Sequence, residues 1–147
     1  LTLIGLFNMI GTLISGKVSG IIKKKYILSF IYFVRSIVIF LLLILTTNNF
    51  TIIAFSCCIG LLWLSTVPPT SGIVSNRFGT RYLSTLFGIV MVSHQAGAFL
   101  GSFIGGLVID IYGSLDIAWI MAIVISLLSA IIHFPIIEKE KSEEVFA

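Results

Sequence analysis

An all-α, polytopic membrane protein is the fold class this sequence predicts, and three observations predict it. The first is composition: 58% of the 147 residues are hydrophobic and 10% are charged, against about 45–50% and about 25% in soluble domains. Mean hydropathy is correspondingly high, at +1.16. The second is length: five apolar runs are each long enough to cross ~30 Å of hydrocarbon as a helix rising 1.5 Å per residue. The third is periodicity: a membrane barrel needs alternating strands of about ten residues, and none is visible. These features exclude a soluble enzyme, a nucleic-acid-binding module and a disordered tail.

The first run, residues 1–22, stops at Lys23-Lys24-Lys25. The second, 26–46, ends in the polar turn Thr47-Asn48-Asn49. The third, 50–75, carries Pro68-Pro69 and ends before Asn76-Arg77. The fourth, 83–111, stops at Tyr112-Gly113-Ser114, and Asp116 is placed to cap the fifth, 117–137. Together they form one transmembrane helical domain, 1–137, followed by a charged tail, 138–147. The chain opens at Leu1 in mid-hydrophobic sequence without a basic leader region, as expected of a fragment whose N-terminal part is missing.

Charge fixes an expected orientation. Lys17, Lys23, Lys24, Lys25, Arg77, Arg81, Lys139 and Lys141 all fall at or beyond the same ends of the spans, and the opposite loops hold no Lys or Arg. The basic ends are therefore expected in the cytoplasm, with the C-terminus inside. The net charge of +3 thus reports topology and does not point to nucleic acid. Tyr26 and Tyr82 mark the inner interface, Tyr112 and Trp119 the outer one. Cys57 and Cys58 are adjacent and diverge on a helix, so no disulfide between them and no metal site is expected.

Arg35 is the ninth basic residue and the exception. It lies ten residues past Lys25, about 15 Å into the membrane, where a charge is costly unless compensated. Backbone carbonyls of a neighbouring helix could satisfy it, or it could bind an anionic substrate or pair with another charge. No Asp or Glu lies deep in any span. His94, also mid-span, stands on the same helical face as Gly97, Gly101 and Gly105. That small-residue stripe reads as helix packing, and His94 as a cavity or proton-coupling residue, with a hydrogen-bonded structural histidine as the alternative. Gln95 points about 100° away and is a candidate cavity-lining residue that need not share the role of His94.

Pro68 and Pro69 remove donors to the carbonyls of Leu64 and Ser65, so a kink is expected there, with Ser65, Thr66, Thr70 and Ser71 able to repair the hydrogen bonding. Trp63 precedes it as a candidate cavity-lining residue. Asn8 shares a face with Gly5, Gly11, Thr12, Ser15 and Ser19, and reads as hydrogen-bonding across a helix interface or lining a cavity. His133, near the inner end of its span, reads as structural. Paired carboxylates, metal-ligand spacings and phosphate-cradling glycine loops are absent, so an enzyme is not expected, nor a cofactor or metal.

Gly16-x3-Gly20 followed by Lys23-Lys24-Lys25 resembles the loop signature Gly-x3-Asp-x2-Gly-Arg-Lys/Arg of the major facilitator superfamily. Gly16, Lys24 and Lys25 match, while Gly20 replaces the Asp and Lys23 the second Gly. Leu62–Gly72, Phe78-Gly79-Thr80-Arg81-Tyr82, Thr85-Leu86-Phe87-Gly88, Ser93–Gly101 and Gly105-Gly106…Asp110…Tyr112-Gly113-Ser114 look like the monocarboxylate-porter-like branch from bacteria. The resemblance implies a twelve-helix fold of which these are helices eight to twelve. It implies a secondary active transporter of the inner (plasma) membrane, moving a small organic anion such as a monocarboxylate by alternating access, with protons as a coupling partner and the missing N-terminal half completing it. The alternatives are an exporter of other small molecules, or a non-transporting multi-span sensor or assembly partner.

Overall fold

The computed structural model describes residues 1–138. The remainder of the expected tail, with Lys139 and Lys141, lies outside the described residues. Six helices make up the described chain: α1 (Thr2–Val18), α2 (Lys24–Ile44), α3 (Asn49–Trp63), α4 (Val67–Phe78), α5 (Leu83–Tyr112) and α6 (Asp116–His133). No strand occurs among the described residues, as the composition and run lengths require. Four stretches are long and apolar enough to cross a membrane: Lys24–Ile44, Asn49–Phe78, Leu83–Tyr112 and Asp116–His133. Thr2–Val18 is a shorter apolar helix.

Helix ends follow local chemistry. The turn before α3 closes with a reciprocal capping box: Asn48 Oδ1 accepts from the Thr51 N–H at 2.9 Å, and Thr51 Oγ1 accepts from the Asn48 N–H at 2.8 Å. Gly113 ends α5 with φ +68°, a left-handed conformation that only glycine adopts without steric cost. The expectation that Asp116 caps the last helix is corrected. Leu115 is the cap and Asp116 is the first helical residue, its N–H donating to Ser114 Oγ at 3.1 Å. One position inside the helix, its carboxylate acts on the positive N-terminal dipole instead.

α2 is the centre of the assembly. It packs along α6 and also against α3 and α4. α1 lies on α3 and α4, and α5 touches the rest through α4 and α6. Lipid tails are as apolar as leucine, so helix association relies on close backbone approach and interhelical hydrogen bonds. The interior fits that rule: among the described residues the buried polar side chains are six serines, Ser15, Ser19, Ser29, Ser36, Ser65 and Ser126, while large apolar side chains cover the outside. Ser29 Oγ donates to the Ala130 carbonyl at 2.7 Å, joining α2 to α6. At the same contact Tyr26 meets Phe134 edge-on, with ring centroids 5.9 Å apart.

Two glycines set the distance between α1 and α3. A Cβ on Gly60 would lie 2.7 Å from the Ile4 carbonyl oxygen, and one on Gly11 would collide with the Leu61 carbonyl oxygen. The stripe of Gly97, Gly101 and Gly105 on α5 differs: a Cβ on any of them would meet nothing within 4 Å. Among the described residues, close packing thus runs through Gly11 and Gly60.

Gly60→Ala should therefore push α1 off α3 and cost about 1–3 kcal/mol, the usual range for overpacking. Gly5→Ala, on α1 with open space around it, should not destabilise the protein and gains up to about 1 kcal/mol of helix propensity. Thermal unfolding of wild type and the two purified variants in detergent checks the contrast, and a Gly60→Ala midpoint no lower than that of wild type would refute it.

Candidate functional site

The site begins with the interruption of the third apolar run. A single kinked helix is the expectation there, and the chain forms two helices, with Leu64–Thr66 between α3 and α4. The prolines are the cause. Pro68 and Pro69 sit in the first turn of α4, where their missing N–H groups have no helical role, and the ladder upstream loses its donors. The Val67 N–H bonds the Leu64 carbonyl at 3.0 Å, a tightened three-residue turn.

In hydrocarbon the backbone groups freed by such a break must find other partners. Two neighbouring helices supply them. From α1, Asn8 Oδ1 accepts from the Leu64 N–H at 2.9 Å, and Ser15 Oγ donates to the Ser65 carbonyl at 2.5 Å. From α2, Arg35 Nη2 donates to the Leu62 carbonyl at 2.5 Å and the Trp63 carbonyl at 3.1 Å. The local hydroxyls add their share: Thr70 Oγ1 donates to the Thr66 carbonyl at 2.6 Å, Ser71 Oγ to the Pro68 carbonyl at 3.0 Å, and Ser65 Oγ to the Leu61 carbonyl.

Arg35 is held by rings as well. Its guanidinium carbon lies 5.2 Å from the Tyr32 ring centre and 5.9 Å from that of Trp63, within cation–π range. Its Nε is buried without a hydrogen-bond partner. The sequence left open whether backbone or an anion compensates this charge. Two carbonyls take hydrogen bonds from one of its nitrogens, and the buried Nε–H is left over.

Beside the break lies a cavity of about 540 Å³, whose polar lining comes from Tyr32 on α2, Thr66 at the break, Thr70 on α4, His94 and Gln95 on α5, and His133 on α6. His94 and Gln95 thus both reach this space, although their helical directions diverge. Asn8 and Trp63 belong to the break instead, with Trp63 half-exposed under Arg35. His133 stacks on Tyr32, centroids 5.1 Å apart at 27°, and its Nδ1 lies 2.6 Å from the Ser129 carbonyl oxygen. Sequence reasoning placed His133 outside the site and passed over Tyr32. The available signal was Tyr32 three residues before Arg35, the helical spacing at which a ring and a cation meet.

At the lysine-rich end, Gly16 faces Pro68 with 3.9 Å between its would-be Cβ and the proline Cβ, and the Lys24 stem lies over Gly72. Glu138 caps α2: its carboxylate accepts from the Lys24 and Lys25 N–H groups at 3.0 and 2.5 Å. Lys25 Nζ donates to the Phe134 carbonyl at 3.2 Å. No cluster of His, Cys, Asp or Glu suited to a metal ion occurs among the described residues.

Arg35→Ala should strip hydrogen bonds from the part-buried Leu62 carbonyl and the exposed Trp63 carbonyl, at about 1–3 kcal/mol in all, most of it at Leu62. Asn8→Ala frees a single N–H and should cost less, about 0.6–2 kcal/mol. Unfolding followed through Trp63 fluorescence ranks the two. A smaller effect for Arg35→Ala would mean that the break is held by other groups.

Comparison with known proteins identifies the family of the chain. The chain is similar to the uncharacterized MFS-type transporter YcxA of Bacillus subtilis (strain 168), being 27% identical over 146 residues, 95% of this chain and 36% of that protein. It spans about a third of the length of this curated relative. No solved structure matches. The family model described as Major Facilitator Superfamily matches residues 1–146, and with a match over nearly the whole chain, this multi-pass membrane protein belongs to that superfamily of transporters.

Proposed function

We propose that the chain forms part of the C-terminal half of a secondary active transporter, corresponding to helices eight to twelve of a twelve-helix fold, and that it moves a small organic anion such as a monocarboxylate by alternating access. The observation that carries this reading is the broken third span with a polar cavity against it. Discontinuous helices supply freed backbone groups near the midplane, where transporters bind substrate. The lining joins two imidazoles, an amide, a phenol and two hydroxyls, and contains no carboxylate among the described residues. Arg35 adds a cation one ring away, through Tyr32, so the electrostatics favour an anionic solute over a cationic one.

In this reading His94 and Gln95 hold the solute by hydrogen bonds from α5. Arg35 has two tasks: it holds the break, and it supplies the field that draws a carboxylate toward the cavity. The basic ends of the spans face the cytoplasm, so the C-terminus lies inside. The monocarboxylate-porter-like motifs support a carboxylate substrate, and protons are the coupling partner.

The test uses the full-length transporter in proteoliposomes with labelled acetate, lactate, pyruvate and succinate. Uptake of at least one is expected. Arg35→Ala should reduce it about tenfold or more, the worth of a charge-assisted contact, and Arg35→Lys should restore part of it if charge is what the solute senses. Uptake unaffected by Arg35→Ala would remove the arginine from the pathway, and failure to take up any of the four would overturn the carboxylate assignment.

A further inference from the structure

We propose that His133 is the proton-bearing residue of the cavity, its imidazolium pairing with the substrate carboxylate. The inference rests on the transport reading above and names the group that carries the proton. Its basis is geometric. Nδ1 of His133 lies 2.6 Å from the carbonyl oxygen of Ser129, one turn back on α6. A carbonyl can only accept, so Nδ1 carries hydrogen and the neutral ring keeps its lone pair on Nε2. The second-nitrogen bond fixes which tautomer is present. The ring is also held in place, stacked on Tyr32 at 5.1 Å, and His133 lines the same cavity as His94, Gln95, Thr66 and Thr70. His94 lacks such an anchor: no hydrogen bond or ring contact orients its imidazole among the described residues.

The charges around His133 leave the proton without a resident counter-ion. On α2 stand Tyr32, then Arg35 over the Tyr32 ring, and Lys25, whose ammonium donates to the carbonyl of Phe134. On α5 stands His94, and the cavity residues at the break and on α4 are hydroxyls and apolar groups. The nearest carboxylate along the chain, Glu138, is held by two N–H groups at the start of α2. Asp110 and Asp116 sit at the far ends of α5 and α6. When Nε2 takes a proton from water, the anion that neutralises the imidazolium is therefore the one that enters the cavity. Carboxylate binding and protonation support each other by linkage; on the opposite side the carboxylate leaves and Nε2 returns its proton to water, so one proton and one anion cross per cycle.

The experiment compares full-length wild type with His133→Gln, His133→Phe and His94→Gln, measuring uptake of whichever of the four carboxylates wild type transports from about pH 5 to about pH 8, the span over which histidine changes charge. His133→Phe keeps a ring on Tyr32 while removing both nitrogens, so it separates chemistry from packing. Wild-type uptake should fall as pH rises. Both His133 variants should lose that slope and show a KM raised about tenfold at the acidic end, as for one lost charge-assisted contact, and His94→Gln should keep the slope. A slope retained in His133→Phe overturns the proposal. Nitrogen NMR of histidine-labelled protein, with the His133 signals assigned by the Gln variant, gives an independent reading: hydrogen on Nδ1 of the neutral ring supports the assignment, and hydrogen on Nε2 overturns it. If wild type takes up none of the four acids, the transport reading fails and the pairing falls with it; uptake by wild type with the slope kept in His133→Phe overturns the pairing alone.

Discussion

Everything in this structure is arranged around one interrupted backbone. Two consecutive prolines stop the third apolar run from continuing as a helix, and the groups released between Leu62 and Ser65 lie among apolar helices where water is not at hand. Arg35, Asn8 and Ser15 take up those groups. That requirement brings α1 and α2 to the break from two sides. It also accounts for an arginine in the middle of a hydrophobic helix: the cost of its insertion is offset by two carbonyls and two aromatic rings.

Packing follows from the same solvent. Among the described residues six serines are buried beside an apolar core of Ile27, Leu28, Ile31, Ile39 and Ile59, and most of the large apolar side chains lie outside. Where helices must come closest, at α1 and α3, glycines face backbone. Where α2 meets α6, a serine hydroxyl reaches a carbonyl of the partner helix. Such contacts are short-range and directional, so they fix register more than they drive association. α5 carries few of them and lies at the margin of the described bundle, which is what leaves His94 and Gln95 at an open cavity wall.

Function emerges where the break and the bundle edge coincide. The cavity draws residues from α2, from the break and α4, from α5 and from α6, whose chain positions run from Tyr32 to His133. Its polarity comes from neutral groups, and the Arg35 cation acts on it through the Tyr32 ring. This suits a superfamily in which a solute must be held well enough to enter and loosely enough to leave.

The sequence by itself determined the solvent, the helical class, the site of the interruption and the need for something to compensate Arg35. Hydropathy, proline sterics and the cost of a buried charge are local properties, readable from a residue and its neighbours in the chain. The face of α1 carrying Asn8, Gly11 and Ser15 was legible for the same reason, through helical spacing. Tertiary structure alone decided which groups answered those needs. That Arg35 meets Leu62 and Trp63, that Glu138 closes the start of α2, that Gly11 and Gly60 set the close approach while Gly97, Gly101 and Gly105 face open space, and that His133 joins the cavity all depend on the rotation and register of one helix against another. Those are set by many weak contacts summed across the bundle, and no single stretch of sequence encodes them.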